Sequence, residues 1–236
     1  MTPGIPLSKR ILYEDNHLIV VNKLSSEIVQ GDKTGDEPLS EALKTYLKKK
    51  YHKPGNVFLG VIHRLDRPVS GVVVFAKTGK ALSRMNELVK QRQFKKTYWA
   101  VVKNVPPETE GELRHFLWRD TVKNKSFVSL HPKAGSKEAV LSYRILASGE
   151  RYHLLEIDLH TGRHHQIRAQ LAAVGCPIKG DLKYGFPRSN PDASIGLHAR
   201  KVSFVHPVKK EPLTFFASPP NDTLWNYFLK KVTEKT

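Results

Sequence analysis

At 236 residues the chain is long enough to bury a substantial core, and 39% hydrophobic with 26% charged residues is the balance of a folded soluble protein, not of a disordered or membrane-embedded one. Lys and Arg outnumber Asp and Glu by 39 to 22, and a net charge of +17 repels itself in a compact fold unless a polyanion offsets it, nucleic acid before an anionic membrane. No window approaches the roughly 18 consecutive apolar residues of a membrane span, and MTPGIPLSKR lacks the plan of a signal peptide, so the expectation is a cytoplasmic protein with no membrane partner.

In chain order, residues 1–10 read as an N-terminal extension and residues 11–236 as one compact domain without repeats or low-complexity linkers. ILYEDNHLIVVNK sets two apolar runs around Asp15 and Asn16 and predicts a β-hairpin. Asp36 is placed to cap a helix whose Leu39, Ala42, Leu43, Tyr46 and Leu47 share one face. The basic end of that helix, KKKYHK, suits the helix dipole and solvent, and equally suits RNA. Val72 to Ala76 is too short for a helix and β-branched, hence a buried strand. Ala81, Leu82, Met85, Leu88 and Val89 then form a helix face, and KKTYWAVVK another strand. Beyond NVPPETEG, strands and turns alternate as far as RYHLLEIDLHTGRHHQIRAQLAAVGCPI. There His153, Leu155, Ile157 and Leu159 form a strand face, and Thr161 is placed to cap a helix with Ile167, Leu171 and Val174 as its buried stripe, ended by Gly175 and Pro177. Strands mixed irregularly with a few helices give the α+β class. The single cysteine, Cys176, excludes an intramolecular disulfide and, with no neighbouring base, reads as a buried structural thiol.

Five segments carry the residue types of chemistry: HRLDRPVSG, KKTYWAVV, HTGRHHQIR, KGDLKYG and LHARKVSFVHP. In the first, Asp66 sits among His63, Arg64 and Arg67, where an acid serves a turn, pairs an arginine or reacts. His160 and His164 have the i, i+4 spacing of a zinc pair, but Thr161 and Gly162 put His160 on the preceding strand and no acid follows at ligand spacing, so no metal is expected. Arg168 shares a helix face with His164, opposite the apolar stripe, and is therefore expected at a polar surface. Arg64, Arg163 and Arg168 either attract a phosphodiester backbone and hold a carboxylate ionised, or form a solvated basic face.

HRLDRPVSG resembles the catalytic motif of the RluA family of RNA pseudouridine synthases, usually HRLD, two variable positions and Thr-Ser-Gly, and the other four segments match that family's later motifs in order over residues 11 to 220. Val69 stands where the family usually has Thr, and Lys183 in GDLKYG where many members read Leu-Tyr-Gly. The resemblance implies a long, mixed, mainly antiparallel sheet in two halves with flanking helices and a central cleft. It implies isomerisation of uridine without a cofactor, and a monomer whose partner is structured ribosomal or transfer RNA. Asp66 is then the catalytic carboxylate, Tyr98 stacks on the base and helps to remove the proton from carbon 5, and Arg168 keeps Asp66 charged. Arg64, His63, Arg163, His165, Gln166 and Leu197 follow as substrate-binding residues, Arg64 bracing the gap left by a flipped base. Many relatives carry a small RNA-binding domain ahead of the catalytic one; here the first catalytic strand is expected near Ile11, which leaves RNA choice to the cleft and to the lysines of LWRDTVKNKSFVSLHPKAGSKEAV. Two other classes are a silent RNA-binding module, which has no need of an acid facing phosphates, and a metal-dependent nuclease, whose strand scission a chelator would abolish.

Overall fold

The computed structural model describes residues 5–32 and 35–234. After a 3-10 turn at Leu7–Arg10, the elements are β1 (Ile11–Glu14), β2 (Leu18–Lys23), α1 (Leu39–Lys50), β3 (Gly60–Val61), β4 (Ser70–Ala76), α2 (Gly79–Lys90), β5 (Lys95–Val102) and β6 (Glu110–Asp120). They continue with β7 (Lys125–Ser129), β8 (Lys137–Ser148), β9 (His153–Leu159), α3 (Gln166–Ala173), a 3-10 turn at Leu182–Tyr184, β10 (Leu197–Val205), β11 (Pro212–Phe216) and α4 (Thr223–Thr233). The class is α+β, as expected. The chain gathers into two compact units, Met1–Phe94 with Ala199–Ser218, and Lys95–His198 with Pro219–Thr236.

In the first unit the expected hairpin forms because Asp15 Oδ1 accepts the amides of His17 and Leu18, each at 2.8 Å, and so fixes the turn between β1 and β2. β2 pairs antiparallel with β4, Leu18 opposite Ala76 and Lys23 opposite Gly71. Every residue of β4 is buried, as a β-branched run between layers requires. Gly71 has φ +122°, and a Cβ there would lie 2.3 Å from the carbonyl oxygen of Ala199 on β10, so only glycine lets the two backbones approach. α2 is capped by Thr78, whose hydroxyl accepts the amide of Ala81 at 3.1 Å, and it buries Ala81 and Met85. α1 buries Leu39, Leu43 and Leu47 but is not capped by Asp36. Pro38 precedes its first turn, and the carbonyls of Ile28 and Val29 accept the amides of Leu39 and Ser40, so no side chain is needed there. Asp36 instead accepts Arg67 Nη1 at 2.6 Å. The end of the N-terminal segment is tied down too: Arg10 forks onto both carboxylate oxygens of Glu27 at 2.8 Å.

The second unit is an antiparallel sheet in the order β5-β9-β8-β6-β7. One face packs Trp99, Val101, Ala147 and Leu154 beneath Trp225 and Phe228 of α4, a helix capped by Asp222 through the amides of Leu224 and Trp225. The other packs Leu117 and Ala139 against Ala169 of α3 and Tyr184. LWRDTVKNKSFVSLHPKAGSKEAV, expected as a lysine-bearing insertion, is the β6–β7 hairpin and its continuation into β8. α3 departs from expectation at its start, since the cap position is His165 in the left-handed region at φ 52°, not Thr161. The Thr161 hydroxyl accepts the amide of Val140 and donates to Gln166 Oε1, a tertiary bond that competes with capping.

Candidate active site

Asp66 lies in the loop joining β3 to β4, and that loop is held from below. Ile62, Leu65 and Val69 are buried, whereas Arg64 is exposed and His63, Asp66 and Arg67 are half-buried. The Asp66 carbonyl accepts the amide of Val69 at 3.0 Å, closing a tight turn around the acid, and the Arg67 carbonyl accepts the amide of Ser26. Underneath, the wholly buried Lys23 donates to the carbonyls of Leu24 (2.8 Å), Arg67 (3.2 Å) and Val69 (2.7 Å). An ammonium has three protons, so this set uses all of them. Burial lowers the Lys23 pKa to about 7, opposed by the negative charges of Glu27 and Asp66. Val69, the departure from the usual threonine, contributes its buried side chain and its carbonyl to this anchoring. His63 Nε2 accepts the amide of Val74 at 3.1 Å, and its ring lies 5.0 Å from that of Phe94. Its ring therefore ties the loop to β4.

Lys23→Met keeps the stem but leaves three carbonyls, that of Val69 buried and those of Leu24 and Arg67 partly so, without that donor. We expect a loss of stability of about 2–4 kcal/mol, read as a lower urea midpoint with an unchanged slope. A midpoint at the wild-type value would show that water replaces the ammonium.

The other expected residues lie in the second unit. Tyr98 is a buried residue of β5, opposite Ile157 on β9. Arg168 is buried, at 5% exposure, and does not lie on a polar surface. α3 buries every residue from Gln166 to Leu171, so it has no solvent side at this position. The burial is tolerated because Arg168 Nε and Nη2 meet the two oxygens of Asp181, itself 1% exposed, at 2.6 and 2.8 Å. The guanidinium carbon also sits 5.1 Å from the centroid of the Tyr184 ring. The Tyr184 hydroxyl accepts the amide of Ser126 at 2.9 Å and lies 3.0 Å from His165 Nδ1. His165 stacks on His164 with centroids 3.7 Å apart. Arg168, Asp181, Tyr184, His165 and Ser126 thus form one connected cluster.

Gln166 and Leu197 are buried, at 3% and 4% exposure. Gln166 ties its own loop to β8, accepting from Arg163 N and Thr161 Oγ1 and donating to the Val140 carbonyl. Arg163 reaches the Glu138 carbonyl through Nε at 2.9 Å. His160 pairs with Ser142 and His164 with Ser126, so the two histidines at zinc-pair spacing have separate tasks. Among the described residues no group of three His, Cys, Asp or Glu side chains is placed to hold a metal ion. Cys176 is buried, which pushes its thiol pKa up and makes it a poor nucleophile. Sequence reasoning did not single out Lys23, which holds the loop of Asp66, or Asp181 and Tyr184, which hold Arg168. The available signals were an acid inside KGDLKYG and a lysine closing the otherwise apolar run LIVVNK.

The sequence profile described as RNA pseudouridylate synthase matches residues 17–173. The chain belongs to this family. It is 31% identical over 237 residues to the ribosomal large subunit pseudouridine synthase C of Buchnera aphidicola, across 97% of this chain and 72% of the relative. It is 32% identical over 231 residues to the ribosomal large subunit pseudouridine synthase D of Neisseria meningitidis, across 92% of this chain and 60% of the relative. The solved structure of human RNA pseudouridylate synthase domain containing 4 superposes with a TM-score of 0.78 at 25% identity, across 96% of this chain and 94% of that one. The RluA-like motifs thus lie on an RNA pseudouridine synthase, an isomerase of uridine in RNA. No helix among the described residues is long and apolar enough to cross a membrane.

Proposed function

We propose that this pseudouridine synthase converts uridines of ribosomal RNA, in loops and not in continuous helix, and that Asp66 is its catalytic carboxylate. The observation that carries the reading is the catalytic loop itself: its apolar residues and backbone are locked by burial and by Lys23, while Arg64 is exposed and Asp66 half-buried. A carboxylate held in that way is preorganised for attack or proton transfer without reorganising at the moment of reaction. The bond from N1 of the base to the sugar breaks, the uracil turns, carbon 5 bonds to the sugar and loses its proton, and N1 gains one, so mass is unchanged and no cofactor is consumed.

In this scheme Tyr98 stacks on the base and assists loss of the carbon 5 proton. Arg168 is the cation that serves the reaction, and the Asp181 fork fixes its plane. The target atoms of a stacked uridine are out of reach, so the nucleotide is extruded at a cost of about a few kcal/mol, least where it is poorly stacked, and Arg64 fills the space it leaves. The ribosomal target rests on the names of the two bacterial relatives, synthases C and D of the large ribosomal subunit.

Pseudouridine mapping by carbodiimide across total RNA, from cells with and without the gene, tests this. We expect one or a few ribosomal uridines, all in loops, to lose their modification. Loss confined to transfer RNA would overturn the ribosomal assignment, and an unchanged map would overturn the proposed activity.

A further inference from the structure

The basic end of α1 is a built surface, not only a solvated run of lysines. Tyr51 is 47% exposed, yet its hydroxyl donates to Glu14 Oε1 at 2.6 Å, which fixes the ring at the surface. Glu14 also accepts Lys77 at 2.9 Å and Lys50 at 2.8 Å. The ammonium groups of Lys77, Lys50 and Lys53 lie 4.9, 5.4 and 5.9 Å from the centroid of the Tyr51 ring. The turn that carries them is closed by backbone bonds from Tyr51 to Leu47, His52 to Lys49 and Lys53 to Lys48, with His52 in the left-handed region at φ 49°. Lys48 and Lys49 stand exposed beside it.

Two physical points give this arrangement a ligand. Three cations around one ring repel one another, and the single carboxylate of Glu14 cannot neutralise them all; an anion on the outer side offsets the remainder. A ring already held in place loses little entropy when a planar group stacks on it. A fixed aromatic face bordered by cations is the pattern that binds single-stranded nucleic acid, each base stacking on a ring while lysines follow the phosphates.

We propose that Tyr51, with Lys48, Lys49, Lys50 and Lys53, is an accessory RNA-binding surface that stacks an unpaired base of the substrate strand and neutralises the flanking phosphates, while Lys77, its side chain 8% exposed, serves only to hold Glu14. It rests on the RNA reading above but uses none of the residues of the catalytic loop. The purified full chain is titrated with a labelled oligouridylate of about 12 nucleotides over a range of salt, and with vesicles containing phosphatidylserine.

Tyr51→Ala is expected to weaken oligouridylate binding by about fivefold or more, and Tyr51→Phe, which keeps the ring, to stay within about twofold. The double variant Lys49→Ala/Lys53→Ala should flatten the plot of log affinity against log salt by up to about 1.4, roughly 0.7 for each single-strand phosphate that is no longer neutralised. Wild-type affinity and slope in Tyr51→Ala and the lysine variant would overturn the proposed surface. Equal losses in Tyr51→Ala and Tyr51→Phe would overturn the stacking. Vesicle binding that falls with these variants while oligouridylate binding does not would make the patch a membrane surface. If wild-type protein forms no pseudouridine but Tyr51→Ala still loses oligouridylate affinity, the accessory surface stands and the catalytic reading falls.

Discussion

Asp66→Ala is expected to abolish pseudouridine formation, with single-turnover rates down by at least about 10³-fold, while RNA binds as tightly as before or more tightly. The first part follows from the role of the carboxylate, since removing a positioned acid or base costs about 10²–10⁴ in rate and removing a nucleophile costs more. The second follows from sign: deleting a negative charge from a protein of net charge +17 cannot weaken its attraction for phosphate. Folding should survive, because the turn around Asp66 is closed by its main-chain carbonyl and because Lys23 bonds to main-chain oxygens, neither of which alanine removes. Turnover near the wild-type rate would move the chemistry away from Asp66.

Arg168→Lys should also be inactive, although it conserves charge. A guanidinium offers a rigid planar fork, and here Nε and Nη2 are both engaged by Asp181, so the plane of the group is set before substrate arrives. An ammonium on a flexible stem cannot reproduce two parallel bonds and still present charge in a fixed direction. We expect a fall in rate of about 10²-fold or more with RNA affinity nearly unchanged. A lower melting temperature should accompany it, because Asp181 is left with an imperfect partner in a dry site. Activity within a few-fold of wild type, together with a lowered melting temperature, would reduce Arg168 to a structural partner of Asp181.

Strands and helices with strong hydrophobic periods were legible in the sequence. β2, β4 and α2 fall where the apolar spacing of LIVV, VVVFA and Ala81 with Met85 put them, since each buries the face that the spacing defines. The starts of α1 and α3 were not legible. Asp36 and Thr161 both have the chemistry of a cap, but a carboxylate or hydroxyl is equally good for a distant partner, and here Arg67 and the Val140 amide take them. Burial of α3 was misread for a related reason. Periodicity put Arg168 on an outward face, but Arg168, like Gln166 and Gln170, has partners, among them Asp181, the Val140 carbonyl and the Leu113 carbonyl, that lie 13 to 57 positions away and satisfy these side chains inside the protein. Composition pointed to a polyanionic partner, whereas the role proposed for Asp66 rests on motif resemblance, because an isolated acid among arginines reads equally well as an ion pair.

The central claim is that this chain breaks and remakes the bond between uracil and ribose using Asp66. The most direct measurement is release of tritium from RNA carrying uridine labelled at carbon 5, because that hydrogen is lost only when carbon 5 replaces N1 as the point of attachment. With purified wild-type protein and a large-subunit ribosomal RNA transcript, tritium should enter water to the extent of one or a few uridines per RNA without strand cleavage, and Asp66→Ala should release none. Tritium release by Asp66→Ala at the wild-type rate, or strand cleavage by the wild-type protein with no tritium release, would contradict the account.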